Sequence, residues 1–314
     1  MTRSGHSWRA PRRLSRSRHT DVRGLRYHLR EWGEPGAPII LLLHGGRDAS
    51  GTFQFLVDAM EGDWHFIAPD WRGHGLTDRA PGGYWLSDFV GDLDILFEEL
   101  FADRAAIVAA HSMGANVASL FAGLRPEKVS RLVLLDALGN LLDLSPVPIV
   151  NTLLRMLNAP RPGRSIRPYP TVPAMAERLR RANPRLSEVQ SEFLAEHLSR
   201  PLPAGGFVWA KDITFERAFP TLHDAAEWGQ CWSRITAPVL SLLSTDDRAH
   251  AITSDPAEVS ARAAYFRNIS LAAISNTGHN LHHDAPHAVA CAIEAFLRDE
   301  PVLECSGLEP VVVI

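Results

Sequence analysis

The sequence predicts an α/β fold with a mostly parallel central sheet flanked by helices. Three observations carry this. Short, near-continuous apolar runs recur along the chain, as strands buried on both faces of a parallel sheet require. Stretches with apolar residues at helical spacing lie between those runs. One run, 105–110, passes through a small-residue turn directly into a helical pattern at 113–124. Alternation of this kind means an α/β architecture.

In chain order, two extended runs from Arg16 to Trp32 flank Arg23-Gly24, which reads as a hairpin turn. The run Ile39-Ile40-Leu41-Leu42-Leu43 is bounded by Pro38 and by His44-Gly45-Gly46. Further strands are expected at 65–68, 105–110, 132–135, 239–243 and 269–274, and helices at 88–101, 113–124, 258–266 and 286–297. The rhythm breaks between about 140 and 230, a Pro- and Arg-rich stretch. It holds helical patterns at 174–182 and 187–198, punctuated by Pro184 and by Pro201-Leu202-Pro203. One core closing around an inserted helical cap fits this better than two domains in series. The expected organisation is a flexible basic tail (1–15), the first part of the core (16–139), the cap (140–230), the second part of the core (231–300) and a C-terminal tail (301–314).

Composition narrows the function classes. The chain has 314 residues, 46% apolar and 22% charged, with 32 basic and 36 acidic side chains. That is an ordinary globular composition. A net charge of −4 suits neither nucleic acid nor an acidic lipid surface. No apolar stretch approaches the 18 residues or so of a membrane span. The first 30 residues carry nine arginines and one acid, Asp21, but the polar Ser15–His19 stretch is no signal-peptide core. Cys231, Cys291 and Cys305 are widely spaced and odd in number, so neither a disulfide framework nor a zinc site is expected. A cytoplasmic location is the corresponding default.

The chemistry concentrates in four segments. Ala110-His111-Ser112-Met113-Gly114 sits where a strand turns into a helix, the context a nucleophile on a tight turn needs. Ala110 stands where a glycine is usual. Strand 39–43 ends in His44-Gly45-Gly46-Arg47, a loop able to approach a substrate carbonyl. The Gly46 and Met113 N–H groups are the candidate oxyanion donors. A serine hydroxyl needs a general base. His279, in Thr277-Gly278-His279-Asn280 after strand 269–274, has the best loop position of the 14 histidines. For the acid that orients the imidazole, Asp247 is preferred by its distance from the end of strand 239–243, with Asp136 and Asp246 as alternatives. The loop Asp70-Trp71-Arg72-Gly73-His74-Gly75 reads as structural, beside the oxyanion loop. His279 and His283 are four apart but lack a glutamate placed as in HExxH, so no metal is expected.

These segments together resemble the α/β-hydrolase superfamily, over about residues 20 to 300. The resemblance rests on HGGRDAS at 44–50, DWRGHGLTD at 70–78, AHSMGANVASLFAGLRPEKV at 110–129 and GHNLHHDAP at 278–286. More narrowly, the chain is similar to the serine hydrolase-like group of esterase/lipase-type enzymes. The resemblance implies Ser112 as nucleophile, His279 as base, Gly46 and Met113 as oxyanion donors, a helical cap over the site and no cofactor. The expected activity is hydrolysis of a carboxylic ester with an apolar part, a carboxylesterase-type reaction. A thioesterase, lactonase or C–C hydrolase with the same residues, or a non-catalytic ligand-binding protein, are the alternatives. The cap offers Phe207, Trp209, Phe215, Trp228 and Trp232 as apolar candidates, and Arg155, Arg161, Arg164 and Arg167 as carboxylate binders.

Overall fold

A computed structural model describes residues 8–81, 84–139, 168–212, 214–215, 225–245 and 256–310, with Val150, Leu154, Leu157 and Asn158 in addition. Nine strands form one sheet: β1 (Arg16–Val22), β2 (Leu25–Trp32), β3 (Ile39–Leu43), β4 (His65–Pro69), β5 (Ala106–His111), β6 (Val129–Leu135), β9 (Val239–Ser244), β10 (Ile269–Ile274) and β11 (Leu308–Pro310). Their order is β1-β2-β4-β3-β5-β6-β9-β10-β11. The six strands from β4 to β10 run parallel, and β1, β2 and β11 add antiparallel edges.

Each strand expected from an apolar run is present, and the reason is visible in the burial. Leu41 and Leu43 face one core cluster, whereas Ile40 and Leu42 face the other. A sheet covered on both sides leaves no polar alternation to read. The covering helices are α1 (Gln54–Ala59), α2 (Leu86–Phe101), α3 (Met113–Leu124), α6 (Ala225–Trp232), α7 (Pro256–Ala263), α8 (Leu281–Asp284) and α9 (Pro286–Leu297). In α3 close approach is obligatory at Gly123, where an added Cβ would sit 2.1 Å from the Cys231 carbonyl oxygen. Trp228 and Trp232, offered by sequence as cap residues, pack into the core instead, and Trp232 Nε1 donates to Ser119 Oγ at 3.0 Å.

Between β6 and β9 the chain leaves the sheet. Helices α4 (Val172–Ala182) and α5 (Glu188–Leu198) pack together, followed by the hairpin β7 (Ser199–Pro201) and β8 (Phe207–Trp209). Helix α5 opens on a capping box between Ser187 and Gln190. The insertion is pinned at two places. Gly75 N donates to Ala210 O and Asp212 N to Gly73 O, both at 2.7 Å. On the other side, Asn183 Nδ2 donates to Asp284 Oδ1 at 2.7 Å and Gln190 Nε2 to His283 O at 3.3 Å. The four candidate arginines, Arg155, Arg161, Arg164 and Arg167, lie outside the described residues.

Two expectations about the chain ends need correction. Residues 8–15 are docked, not a free tail. Trp8 stacks edge-on against Phe55 and Phe193, and Asp58 accepts from Trp8 Nε1 and from the Arg12 and Arg13 backbone N–H groups at 2.8–3.0 Å. One buried carboxylate thus collects donors that composition could not assign. Cys291 and Cys305 form a disulfide across 14 residues, with Cα atoms 5.9 Å apart. The C-terminal segment returns to pair β11 with β10, which brings Cys305 onto α9. The step from three unpaired thiols to a reducing compartment loses its footing. The apolar end, 311–314, lies outside the described residues. Among the described residues no helix is long and apolar enough to cross a membrane.

Candidate active site

Strands β3 and β5 are neighbours, with β4 on the far side of β3, so the chain direction of travel across the sheet reverses there. Loops at the carboxyl ends of strands flanking such a switch form a crevice suited to a ligand. Both chemistry-bearing loops open at that point: His44-Gly45-Gly46 follows β3, and Ser112 follows β5.

Ser112 holds φ 50° and ψ −118°, a conformation that L-residues rarely adopt. Such strain costs on the order of 1–3 kcal/mol and persists only where the surroundings enforce it. Here the sheet grips one side, with Ser112 N donating to Leu135 O at 3.1 Å. Helix α3 grips the other, through Asn116 N and Nδ2 to Ser112 O at 3.0 and 3.1 Å. Ala110 is fully buried in β5 and leaves the turn intact. Gly114 is the position that admits no side chain, because a Cβ there would lie 2.4 Å from Leu43 O and 2.6 Å from His44 O. Both neighbours are backbone, so Gly114→Ala must push α3 away from β3. The expected cost is at least about 1–3 kcal/mol of stability, read as a lower urea midpoint. An unchanged midpoint would contradict this packing.

His279 completes a chain of hydrogen bonds. Its Nε2 lies 2.8 Å from Ser112 Oγ and its Nδ1 lies 2.7 Å from Asp136 Oδ2. A carboxylate can only accept, so Nδ1 carries the proton and Nε2 is left as acceptor for the serine hydroxyl. Asp136 is buried at the end of β6 with φ 49°. Its Oδ1 accepts from both Ser244 N and Ser244 Oγ at 2.8 Å. Because β6 and β9 are adjacent, the residue after one strand meets the end of the other. The residue bonded to His279 is therefore the alternative Asp136; the preferred Asp247, and Asp246, lie outside the described residues.

The loop after β3 is held by groups that sequence reading treated as scenery. His44 Nδ1 donates to Gly45 O at 2.7 Å, and its Nε2 accepts from Trp71 N at 3.0 Å. His74 Nδ1 donates to Arg72 O, and its Nε2 accepts from Arg47 N at 3.1 Å. Both imidazoles must be neutral to accept. Burial enforces that, lowering the His44 pKa and pulling His74 down to about 3. The Arg47 N–H is thus occupied. The Gly46 and Met113 N–H groups have no hydrogen-bond partner among the described residues. Met113 is the first residue of α3, so no helical carbonyl stands behind it. Phe215 from the insertion lies against Gly46, where an added Cβ would be 3.3 Å away. The loop beneath is anchored by Asp70, which takes His28 Nδ1, Ser50 N and Leu76 N, and by the bidentate Arg72–Asp92 pair.

A sequence profile of the alpha/beta hydrolase family matches residues 40–292, which include Ser112, Asp136, His279 and the loop after β3. The chain belongs to the alpha/beta hydrolase family. A serine hydrolase-like protein of Danio rerio is 31% identical over 281 residues, covering 86% of this chain and 84% of that protein. The 2-(acetamidomethylene)succinate hydrolase of Mesorhizobium japonicum is 33% identical over 120 residues, 38% of this chain and 42% of that enzyme. Among solved structures, the thioesterase domain from the curacin biosynthetic pathway superposes with a TM-score of 0.75 at 26% identity. The match covers 90% of this chain and 99% of that domain. This alpha/beta hydrolase therefore resembles proteins as different as a thioesterase domain and a 2-(acetamidomethylene)succinate hydrolase, which leaves its substrate to the local geometry.

Proposed function

We propose that the protein is a serine hydrolase that cleaves a carboxylic ester through an acyl-enzyme. The observation that carries this is the unbroken Ser112–His279–Asp136 hydrogen-bond chain, with two backbone donors, Gly46 N and Met113 N, that have no partner among the described residues. Ser112 Oγ attacks the ester carbonyl carbon while His279 Nε2 takes its proton. The tetrahedral oxyanion forms against the Gly46 and Met113 N–H groups, each donor of this kind being worth about 3–4 kcal/mol of transition-state stabilisation. The imidazolium, held by Asp136, then protonates the departing alkoxide as the C–O bond breaks. Water, deprotonated by His279, attacks the acyl carbonyl, releasing the carboxylic acid and restoring Ser112.

Phe215 and Met113 beside Gly46 favour a substrate with an apolar part. The helical insertion, pinned to the loops at 73–75 and 276–284, acts as a cap over this crevice. A second reading, a thioesterase, is favoured by the likeness to the curacin thioesterase domain. Initial rates on oxygen esters and thioesters of one acyl group, over a range of acyl lengths, separate the two. The expected result is a higher kcat/KM for the oxygen ester. The reverse order would move the assignment to thioester cleavage.

A further inference from the structure

Behind the serine and its base lies a set of buried polar atoms that the proposed reaction leaves unused. Asp48 Oδ2, His111 Nδ1 and both ring nitrogens of His282 have no hydrogen-bond partner among the described residues, and all three residues are at least nine-tenths buried. One ligand-type atom from each lies within 4.8 Å of the other two. Four such atoms gather in this one place, and each left unpaired costs on the order of 1–3 kcal/mol.

The orientation of His111 is informative. Its Nε2 lies 2.8 Å from the His279 carbonyl oxygen, which can only accept. The proton is therefore on Nε2, and Nδ1 keeps a lone pair that no donor among the described residues takes. A metal-bound histidine commonly donates its other N–H to a backbone carbonyl in just this manner. Asp48 is oriented too, with Oδ1 accepting from Ala49 N at 2.9 Å and Oδ2 without a hydrogen-bond partner among the described residues. The three residues come from the loop after β3, the residue before Ser112, and the helix that follows His279.

We propose that Asp48, His111 and His282 bind a divalent transition-metal ion, zinc in the first instance, which fastens the oxyanion loop, the serine turn and the base loop together. Two imidazoles and one carboxylate suit zinc, which takes nitrogen and oxygen ligands at about 2.0–2.2 Å in a tetrahedron. Ligand atoms in such a site stand about 3.3–3.5 Å apart, so binding draws the three inward by roughly an ångström. This differs from the His279/His283 pairing considered from sequence, and it does not depend on which bond the enzyme cleaves.

The test uses the full chain, stripped with EDTA and titrated with zinc, and separately with cobalt(II) followed by its visible d–d absorption. One ion per chain is expected, with the intense visible bands of a four-coordinate cobalt site and a raised melting temperature. Asp48→Asn and His282→Gln should each weaken zinc binding by more than the roughly 10–100-fold that loss of an outer partner costs. His279→Gln should retain it. Circular dichroism of the stripped variants checks that they fold, and the wild-type titration decides even if they do not. No stoichiometric binding by the wild type would overturn the site, leaving a water-filled pocket. So would binding lost in His279→Gln but kept in both ligand variants.

Discussion

Ser112→Ala lowers kcat on a p-nitrophenyl ester by about 10⁶-fold, the scale on which losing the nucleophile disables an acyl-transfer unit. The hydroxyl oxygen is the atom that carries the acyl group between the two half-reactions. Its neighbours do not compensate. His279 Nε2 is 2.8 Å from the vanished oxygen, but its loop is held by His111 Nε2 donating to His279 O at 2.8 Å and by Gly278 N donating to Asp284 Oδ2 at 2.9 Å. The residual rate reflects the oxyanion donors and binding alone. Folding should be preserved, because the backbone bonds that impose φ 50° at this position do not involve the side chain. A matched melting temperature with a rate within tenfold of wild type would show that another group attacks.

Asp136→Asn should cost about 10⁴-fold in kcat, on the precedent of such substitutions in serine triads. The reason lies in Ser244. Its N–H and hydroxyl both donate to Asp136 Oδ1 at 2.8 Å, so an asparagine will aim its carbonyl oxygen there. The amide NH₂ then faces His279 Nδ1 and donates to it. That fixes the wrong tautomer: Nε2 becomes protonated and cannot accept from Ser112. Asp247→Asn should leave kcat close to wild type. Should Asp247→Asn prove the damaging change and Asp136→Asn the mild one, the orienting acid would move to the loop after β9.

This contrast shows where the sequence was legible. Strands β3, β5 and β10 stand where contiguous apolar runs place them, because a sheet buried on both faces demands such runs. Ser112 was legible from local context alone, strand into turn into helix. His279 was legible from its place after the last parallel strand. The acid was not. Asp136 follows β6 and Asp247 follows β9 in the sequence, and these strands are neighbours in the sheet. Distance from a strand end cannot rank them, and the Ser244 donors that hold Asp136 are a tertiary feature. His44 and His74 were missed for the same reason. Their value is the lone pair each offers to a backbone N–H some 27 residues away. The Cys291–Cys305 bond and the Asp58 clasp on Arg12 and Arg13 likewise exist only once the ends fold back. Asp48, His111 and His282 lie in three separate segments, and nothing in their spacing announces that they meet.

The most direct test of the account is to treat the full chain with a fluorophosphonate, digest it and map the adduct by mass spectrometry. One modified residue is expected, Ser112, formed in step with loss of ester hydrolysis and absent from Ser112→Ala. An adduct on a different residue, or ester hydrolysis undiminished after complete labelling of Ser112, would contradict it.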